Sequence, residues 1–502
     1  MTFRNDVKIV VVGAGLSGIS AAVKLLRAGI TDFQVLEKAD SPGGVWRDNT
    51  YPGCGVDIPS PVYSFSYRPN PEWRSVFATQ PDLLRYIEET VAEFELGRFV
   101  EYGVEMIEAS WSDDDRRWTL DTSRGPVTAQ HVIFATGPLT EPVYPNVRGL
   151  SGFRGEMFHS ARWNHDIDLT GKRVAVIGTG ASAVQFIPEI QPEVLELFVF
   201  QRTPSWVVPR TDIPFPAPAR FVFRKAPISQ RAIRVAIDGL LRSITMTLRH
   251  EKLARLLNPI GKMWLQYQVA DPVLRQQLTP DFTLGCKRLL LSNTFYPALT
   301  KANVELIPQA LKEVEHDAVI AADGTRREVD VIIFGTGFQV SESPVAQRIR
   351  LRDGRLLSEV WAGSPRAYLA TSVPDAPNAW VMLGPNVLVY NSFVAIAEWQ
   401  LDYIIDGIRK ADALGVDALE VKRSVVDTYN DKVQKALQPT VFNNGGCASY
   451  YLDAQGFNVA AWPWSTAELQ RKFSKFDADK YTVLRKKSVS ARPHTTEGTP
   501  TR

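Results

Sequence analysis

The chain of 502 residues has little cysteine, few histidines, no long apolar run and almost no net charge. Its three cysteines, Cys54, Cys286 and Cys447, are too few and too scattered for a disulfide framework or a cysteine metal cluster. That scarcity leads us to expect a reducing, cytoplasmic setting. Cys54 has no partner at C-x-x-C spacing, which removes a disulfide reductase built on a redox dithiol. The six histidines show no metal-ligand spacing and G-x-S-x-G is absent, so a metalloenzyme and a hydrolase both lack support, and no metal is expected. No uninterrupted apolar stretch is long enough to cross a bilayer as an integral segment. A net charge of +2 gives no electrostatic reason to bind nucleic acid. Hydrophobic content of 45% and charged content of 22% are those of a globular chain, and the length allows more than one domain.

What the chain does have is glycine in two telling places. Gly13-Ala-Gly15-Leu-Ser-Gly18 follows the apolar run Lys8-Ile-Val-Val-Val12, and Gly178-Thr-Gly180-Ala-Ser-Ala183 follows Arg173-Val-Ala-Val-Ile177. Each reads as a buried parallel strand, a tight turn and an amphipathic helix, the arrangement that brings backbone against a pyrophosphate. The units end differently. The first closes on Phe33-Gln-Val-Leu-Glu37, nineteen residues past Gly18, where a carboxylate can accept from a ribose 2′-OH. The second closes on Leu197-Phe-Val-Phe-Gln-Arg202-Thr203, with a cation and a hydroxyl where the acid would be. A 2′-phosphate would repel a carboxylate but bond Arg202 with charge assistance. One bare and one phosphorylated ribose point to FAD and NADPH.

The predicted fold class is α/β, with two Rossmann-like dinucleotide-binding domains and a helical insertion in the second. A β-α-β unit spans 7–40, a helix is expected over 82–96 with Gly97 as its stop, and strands near 102–111, 117–122 and 130–135. The last exits at Ala135-Thr136-Gly137, and Gly335-Thr336-Gly337 repeats that exit after Asp330-Val-Ile-Ile-Phe. The Pro-rich run from Gly137 to Pro145 reads as a domain crossover. These features assign 1–145 and 338–502 to the first domain, with 486–502 a polar tail expected to be disordered. They assign 146–208 and 287–337 to the second domain and 209–286 to the insertion. Residues 220–262 carry ten basic residues opposed by only Asp238 and Glu251, with apolar residues between them. A solvated basic face is the simpler reading, and a membrane-surface patch the sharper one.

A third cluster, Gly43-Gly44-Val45-Trp46 through Tyr51-Pro-Gly53 to Asp57, places paired glycines, an apolar wall and a delivered carboxylate just after Glu37. This segment resembles throughout the pattern [A/G]-G-x-W-x-x-x-x-[F/Y]-P-[G/M]-x-x-x-D of type I (class B) Baeyer–Villiger monooxygenases, within the flavin-containing monooxygenase superfamily. Phe153-Arg-Gly155-Glu-Met-Phe-His159-Ser-Ala-Arg-Trp163 resembles their F-x-G-x-x-x-H-x-x-x-W-[P/D] signature, departing only at Asn164. The resemblance runs over about residues 5–485.

The resemblance implies an enzyme that uses NADPH and O2 to insert one oxygen atom beside the carbonyl of a small to medium lipophilic ketone, through a flavin C4a-peroxide, giving an ester or lactone. Related flavoproteins oxidise sulfur, nitrogen or alkyl groups, and that is the alternative. Leu284-Gly-Cys-Lys287-Arg288 resembles the family segment that brings an arginine over the flavin. Arg288 would stabilise the anionic oxygen species, and Asp57 would hold and tune it. The resemblance assigns Ser17, Lys38, Gly44, Val45, Trp46, Asp57, Tyr63, Val104, Gly137 and Asn386 to FAD, beside Gly13, Gly15, Gly18 and Glu37. It assigns Thr179, Gly180, Ser182, Ala183, Thr203 and Lys287 to NADP, beside Gly178 and Arg202. Tyr450, where the family carries Trp, falls in a segment implied to be a lid over NADP. His159, with Phe153, Gly155 and Trp163, is expected to serve a hinge rather than proton transfer. Asn391 and Ser392 are candidates for the substrate pocket, and Trp462 for pocket wall or core. Nothing in the sequence sets the substrate or the oligomeric state.

Overall fold

Two apolar strands, each followed by a glycine turn and a helix, seed two separate parallel sheets in this computed structural model, which describes residues 3–339, 343–388, 391–449 and 451–485. The expected tail 486–502 and Tyr450 lie outside the described residues. The first unit is β1 (Asp6–Val12), α1 (Leu16–Arg27) and β2 (Phe33–Glu37). Every residue of β2 is buried, as expected of a parallel strand covered on both faces. A short helix α2 (Val45–Asp48) and the longer α3 (Gln80–Glu93) lead to β3 (Val100–Tyr102), β4 (Met106–Ser112), β5 (Arg117–Thr122) and β6 (Val127–Phe134). In this sheet β3, β2, β1 and β6 run parallel, and β6, β5 and β4 form an antiparallel meander, with Ile349–Arg350 at the β4 edge.

The second sheet has five parallel strands. Here β7 (Glu156–His159), β8 (Arg173–Ile177) and β9 (Glu196–Phe200), with α4 (Ala181–Ile190) after β8, are joined by Val304–Ile307 and Val331–Phe334. Between β9 and Val304–Ile307, inside the second unit, lies the helical insertion: α5 (Ala217–Lys225), α6 (Pro227–Leu248), α7 (Glu251–Arg255) and α8 (Asn258–Gln268), then a turn of helix at Pro272–Gln277. The two strand exits meet at the crossover: Val143 N–H donates to the Gly337 carbonyl at 3.0 Å, and the Thr336 hydroxyl donates to the Val143 carbonyl.

Two local expectations are corrected. The strand expected over 102–111 is two strands, because the chain turns at Gly103 to bond Ala39 and Glu37 at the end of β2 before β4 begins. The helix expected over 82–96 starts earlier and stops at Glu93. Its end is set by Glu95 in a left-handed conformation (φ 52°), not by Gly97.

The two glycine turns solve one packing problem in opposite ways. A Cβ on Gly18 would lie 1.8 Å from the Gly13 carbonyl oxygen, so no side chain fits there, and the methyl filling the helix–strand gap comes from Ala135, 3.6 Å away. In the second unit Ala183 supplies the methyl, fully buried, and the facing position is Gly335, where a Cβ would stand 3.2 Å from that of Ala183. One methyl is kept in each gap; only its donor strand or helix changes. Gly18→Ala should therefore cost about 1–3 kcal/mol through overpacking, whereas Ala183→Gly should cost about 1 kcal/mol or less. Urea denaturation of the two variants checks the order.

Candidate functional site

Neither α1 nor α4 carries a side-chain cap; Gly15 and Gly180 stand at the capping position just before each helix, so no capping side chain takes the orphan N–H donors of either first turn. Helix starts of this kind accept phosphate. Gly13, Gly15 and Ser17 line a cavity of ≈ 230 Å³ with Glu37, Lys38, Gly44 and Val104. Its wall continues through Val45, Trp46, Tyr63 and Gly137. A Cβ on Gly44 would touch the Gly15 Cα at 3.0 Å, so here two backbones meet with no side chain between them. Gly18 is buried beneath this turn and does not line this cavity.

Glu37 is almost fully buried, yet its carboxylate is well supplied. It accepts from Ala14 N–H at 2.7 Å, from Ala39 N–H at 3.0 Å and from Arg47 Nη1 at 3.2 Å. A carboxylate has about four acceptor positions, which leaves room for a ribose hydroxyl. Arg47 was not among the sequence candidates. Its position directly after Trp46, in an otherwise apolar or acidic run, was the available signal.

A second cavity, ≈ 850 Å³, lies beside the second glycine turn and shares Trp46, Tyr63 and Gly137 with the first cavity. Gly178, Thr179, Gly180 and Ser182 line it from the second unit, and Trp46, Tyr63 and Gly137 from the first. Ala183 is buried behind its turn. Arg202, Thr203 and Lys287 meet at its second-unit end. Burial first, then repulsion from Arg202, holds the Lys287 ammonium below its ordinary pKa. Two cations in one cavity wall are a donor set suited to a dianionic phosphate.

Asp57 and Arg288 also line this cavity. Arg288 Nε donates to one carboxylate oxygen at 2.7 Å and Nη2 to the other at 2.6 Å, a two-pronged pair between residues 231 positions apart. Burial alone would raise the Asp57 pKa; the charge and hydrogen bonds of Arg288 more than reverse this and hold it below the usual carboxylate range. The loop carrying Asp57 is clamped to α4 by Gln185, which sequence reasoning missed. Gln185 Oε1 accepts from the Tyr51 hydroxyl at 2.9 Å, and its Nε2 donates to the Gly55 carbonyl at 3.0 Å.

The remaining candidates sit elsewhere. Phe153, Gly155, His159 and Trp163 line neither cavity. His159 is fully buried between the rings of Tyr144 and Phe338, at the crossovers between the sheets. Its Nδ1 accepts from Ala161 N–H at 3.1 Å, and burial pushes its pKa down to about 4. Asn391 lines the second cavity, whereas Ser392 is wholly buried beside it. Asn386 spends its amide on the carbonyls of Asn458 and Ala461, at 2.6 and 3.1 Å. Trp462 is a buried core ring that donates to the Ser465 carbonyl at 3.1 Å, and it lines neither of these two cavities.

The cysteine expectation is corrected. Cys286 and Cys447 form a disulfide across 161 residues, leaving Cys54 buried and unpaired. Chain return explains it: Thr283 N–H donates to the Gly445 carbonyl at 2.8 Å, bringing the two segments side by side. Sequence spacing carries no signal of such a meeting. Among the described residues no group of histidine, cysteine, aspartate or glutamate could hold a metal ion, and no helix is long and apolar enough to cross a membrane.

Two dinucleotide turns opening on adjoining cavities, one with an acid and one with cations at the ribose position, define a two-nucleotide flavoprotein. The chain belongs to the flavin-binding monooxygenase-like family, whose sequence model matches residues 6–350. It is 44% identical to a Baeyer–Villiger monooxygenase of Streptomyces coelicolor, over 96% of this chain and 93% of that one. A Baeyer–Villiger monooxygenase of Pseudomonas aeruginosa is 39% identical, over 94% and 91% of the two chains. A closed crystal structure of cyclohexanone monooxygenase superposes with a TM-score of 0.84 at 28% identity, over 96% of this chain and 100% of that one.

The buried histidines have a consequence for stability. His159 (pKa about 4) and His131 (pKa about 3) are held neutral chiefly by burial. Each takes up a proton on unfolding once the pH drops below the ordinary value of 6.5, so stability should be level above that pH and fall steadily towards pH 4. The His159 share is on the order of 3 kcal/mol at the low end. His159→Asn, which keeps an acceptor for Ala161, should make the fall shallower in denaturant titrations run across pH.

Proposed function

We propose that the chain is an FAD- and NADPH-dependent monooxygenase that uses O2 to insert an oxygen atom beside a ketone carbonyl, giving an ester or lactone. The observation that carries this reading is the two-pronged Asp57–Arg288 pair in the wall of the cavity onto which the second glycine turn opens, a cavity that shares Trp46, Tyr63 and Gly137 with that of the first turn. Relatives named Baeyer–Villiger monooxygenase at 44% and 39% identity support it. Hydride acceptance and oxygen activation are chemistry the flavin supplies when bound.

The chain's own residues do the rest. Arg288 presents a fixed positive charge where negative charge develops on oxygen at the substrate carbonyl, and its guanidinium cannot lose its proton to do so. Asp57 holds that guanidinium from both prongs, so the cation is oriented before substrate arrives. Arg202 and Lys287 hold the 2′-phosphate of NADPH and keep the nucleotide in place. Trp46, Leu388 and Phe393 give the cavity apolar walls that exclude water and admit a lipophilic ketone. Glu37 takes the adenosine ribose of FAD, with Ala14, Ala39 and Arg47 holding its carboxylate in place. His159, neutral and away from both cavities, serves the seam between the sheets. A requirement for NADPH supports a cytoplasmic location.

Arg288→Ala should retain bound flavin, seen by its visible absorbance, while ester formation from a panel of cyclic, aryl and long-chain ketones falls about 10²–10³-fold. Undiminished ester would overturn the assignment. Sulfoxide from a thioether, with no ester from any ketone, would favour oxidation of sulfur or nitrogen instead. Arg202→Ala should raise KM for NADPH roughly 10–100-fold while leaving that for NADH nearly unchanged, as read from initial-rate kinetics with each nucleotide.

A further inference from the structure

The long helix of the insertion is apolar on both sides: Ile237, Leu241 and Ile244 pack inward against the core and Leu248 is fully buried. Along the face of α6 turned to the protein stand polar groups with specific partners. Gln230 donates to the Asn70 carbonyl, Arg234 Nη1 to the carbonyls of Pro61 and Ser64 at 3.0 and 2.9 Å, and Asp238 accepts from Asn391 at 3.0 Å. The opposite face carries Ile228, Ala232, Val235, Gly239 and Met246, spaced by three, four or seven residues and therefore in one stripe. Ile228 is 71% exposed, Val235 72% and Met246 57%. A helix on the surface of a water-soluble domain normally carries one apolar stripe, turned inward, and a polar outer face. The neighbouring segments also expose apolar side chains, at Leu256 just after α7 and at Met263 and Tyr267 of α8.

Charge identifies what the stripe meets. The only acids of 220–262, Asp238 and Glu251, are paired within their own helices to Arg242 and Arg255. Lys225, Arg231, Arg249, Lys252 and Lys262 have no ion pair among the described residues. A second copy of this surface would bring cation against cation with no acid to answer it. An anionic lipid surface answers every one of them and takes the apolar side chains as well.

We propose that the outer face of the insertion is a peripheral docking surface for anionic membranes, with α6 lying along the interface. The helix has 22 residues, a length of about 33 Å. This leaves the apolar stripe in the acyl boundary and the cations among the headgroups. Through Asp238 and Asn391 the same helix is one hydrogen bond from the wall of the large cavity. The docking stands whether or not the substrate is a ketone.

The full-length protein, loaded with FAD, is mixed at low salt with vesicles of phosphatidylcholine containing phosphatidylglycerol, and with phosphatidylcholine alone, and bound protein is measured by sedimentation. Binding is expected on the anionic vesicles, weakening as salt rises. Val235→Glu with Met246→Glu should lower it about tenfold or more, with the thermal midpoint and the rate of flavin reduction by NADPH unchanged. Lys225→Gln with Arg231→Gln should lower it about tenfold without moving those controls. The proposal is overturned if the wild-type chain ignores anionic vesicles at low salt, or binds neutral ones equally well. It is also overturned if the double glutamate variant binds undiminished, or if light scattering finds a dimer that this variant dissociates, which would make a second copy the occupant.

Discussion

The ion pair between Asp57 and Arg288 is the contact on which the arrangement of the site depends, because it joins segments that begin in different units of the fold. Asp57 arrives on the loop after the first glycine turn; Arg288 arrives on the chain leaving the insertion. Each side chain is about a quarter exposed, 28% for Arg288 and 26% for Asp57, so its worth as a stabilising salt bridge is modest. Its worth lies in placement. Gln185 ties the Asp57 loop to α4, and the Cys286–Cys447 disulfide tethers the chain two residues before Arg288. Both partners are thus held from behind, and the guanidinium reaches the cavity already oriented.

What could be read from the sequence was what is local. The glycine turns, the acid of Glu37 and the cation of Arg202 are each fixed by strand–turn–helix geometry over a few tens of residues, and the observed strands and helices lie where that geometry puts them. Side-chain destination was less legible. Asn386, Ser392 and Trp462 lie close in sequence or space to cavity residues, but backbone direction decides whether a side chain faces the cavity or the core. Asn386 has a left-handed backbone (φ 59°), and its amide turns to Asn458 and Ala461 instead. The disulfide was least legible of all, since its halves meet only when the C-terminal segment returns to the end of the insertion.

The internal repeat shows how sequence divergence can conceal physical constancy. Gly18 facing Ala135 and Ala183 facing Gly335 differ at both positions, yet each pair places one methyl in the same gap between helix and strand exit. The exits themselves lie together, since Gly337 accepts from the crossover at Val143, and His159 is packed between rings from both crossovers. A neutral imidazole there accepts from Ala161 without bringing charge into the seam. That is what a connection between two nucleotide-holding units requires if they are to shift without breaking a buried ion pair.

The insertion obeys a different constraint. Its inner face meets a loop whose carbonyls, at Pro61, Ser64 and Asn70, need donors, and this accounts for Gln230 and Arg234 pointing inward. It does not account for what points outward. A helix required only to satisfy those carbonyls could carry any polar residue on its far side and gain solubility by doing so. Ile228, Val235 and Met246 on that side, flanked by cations without acids, leave apolar area in water that a purely structural insertion has no reason to keep. The inward contacts fix how α6 is held, and the outward stripe implies a surface for it to be held against.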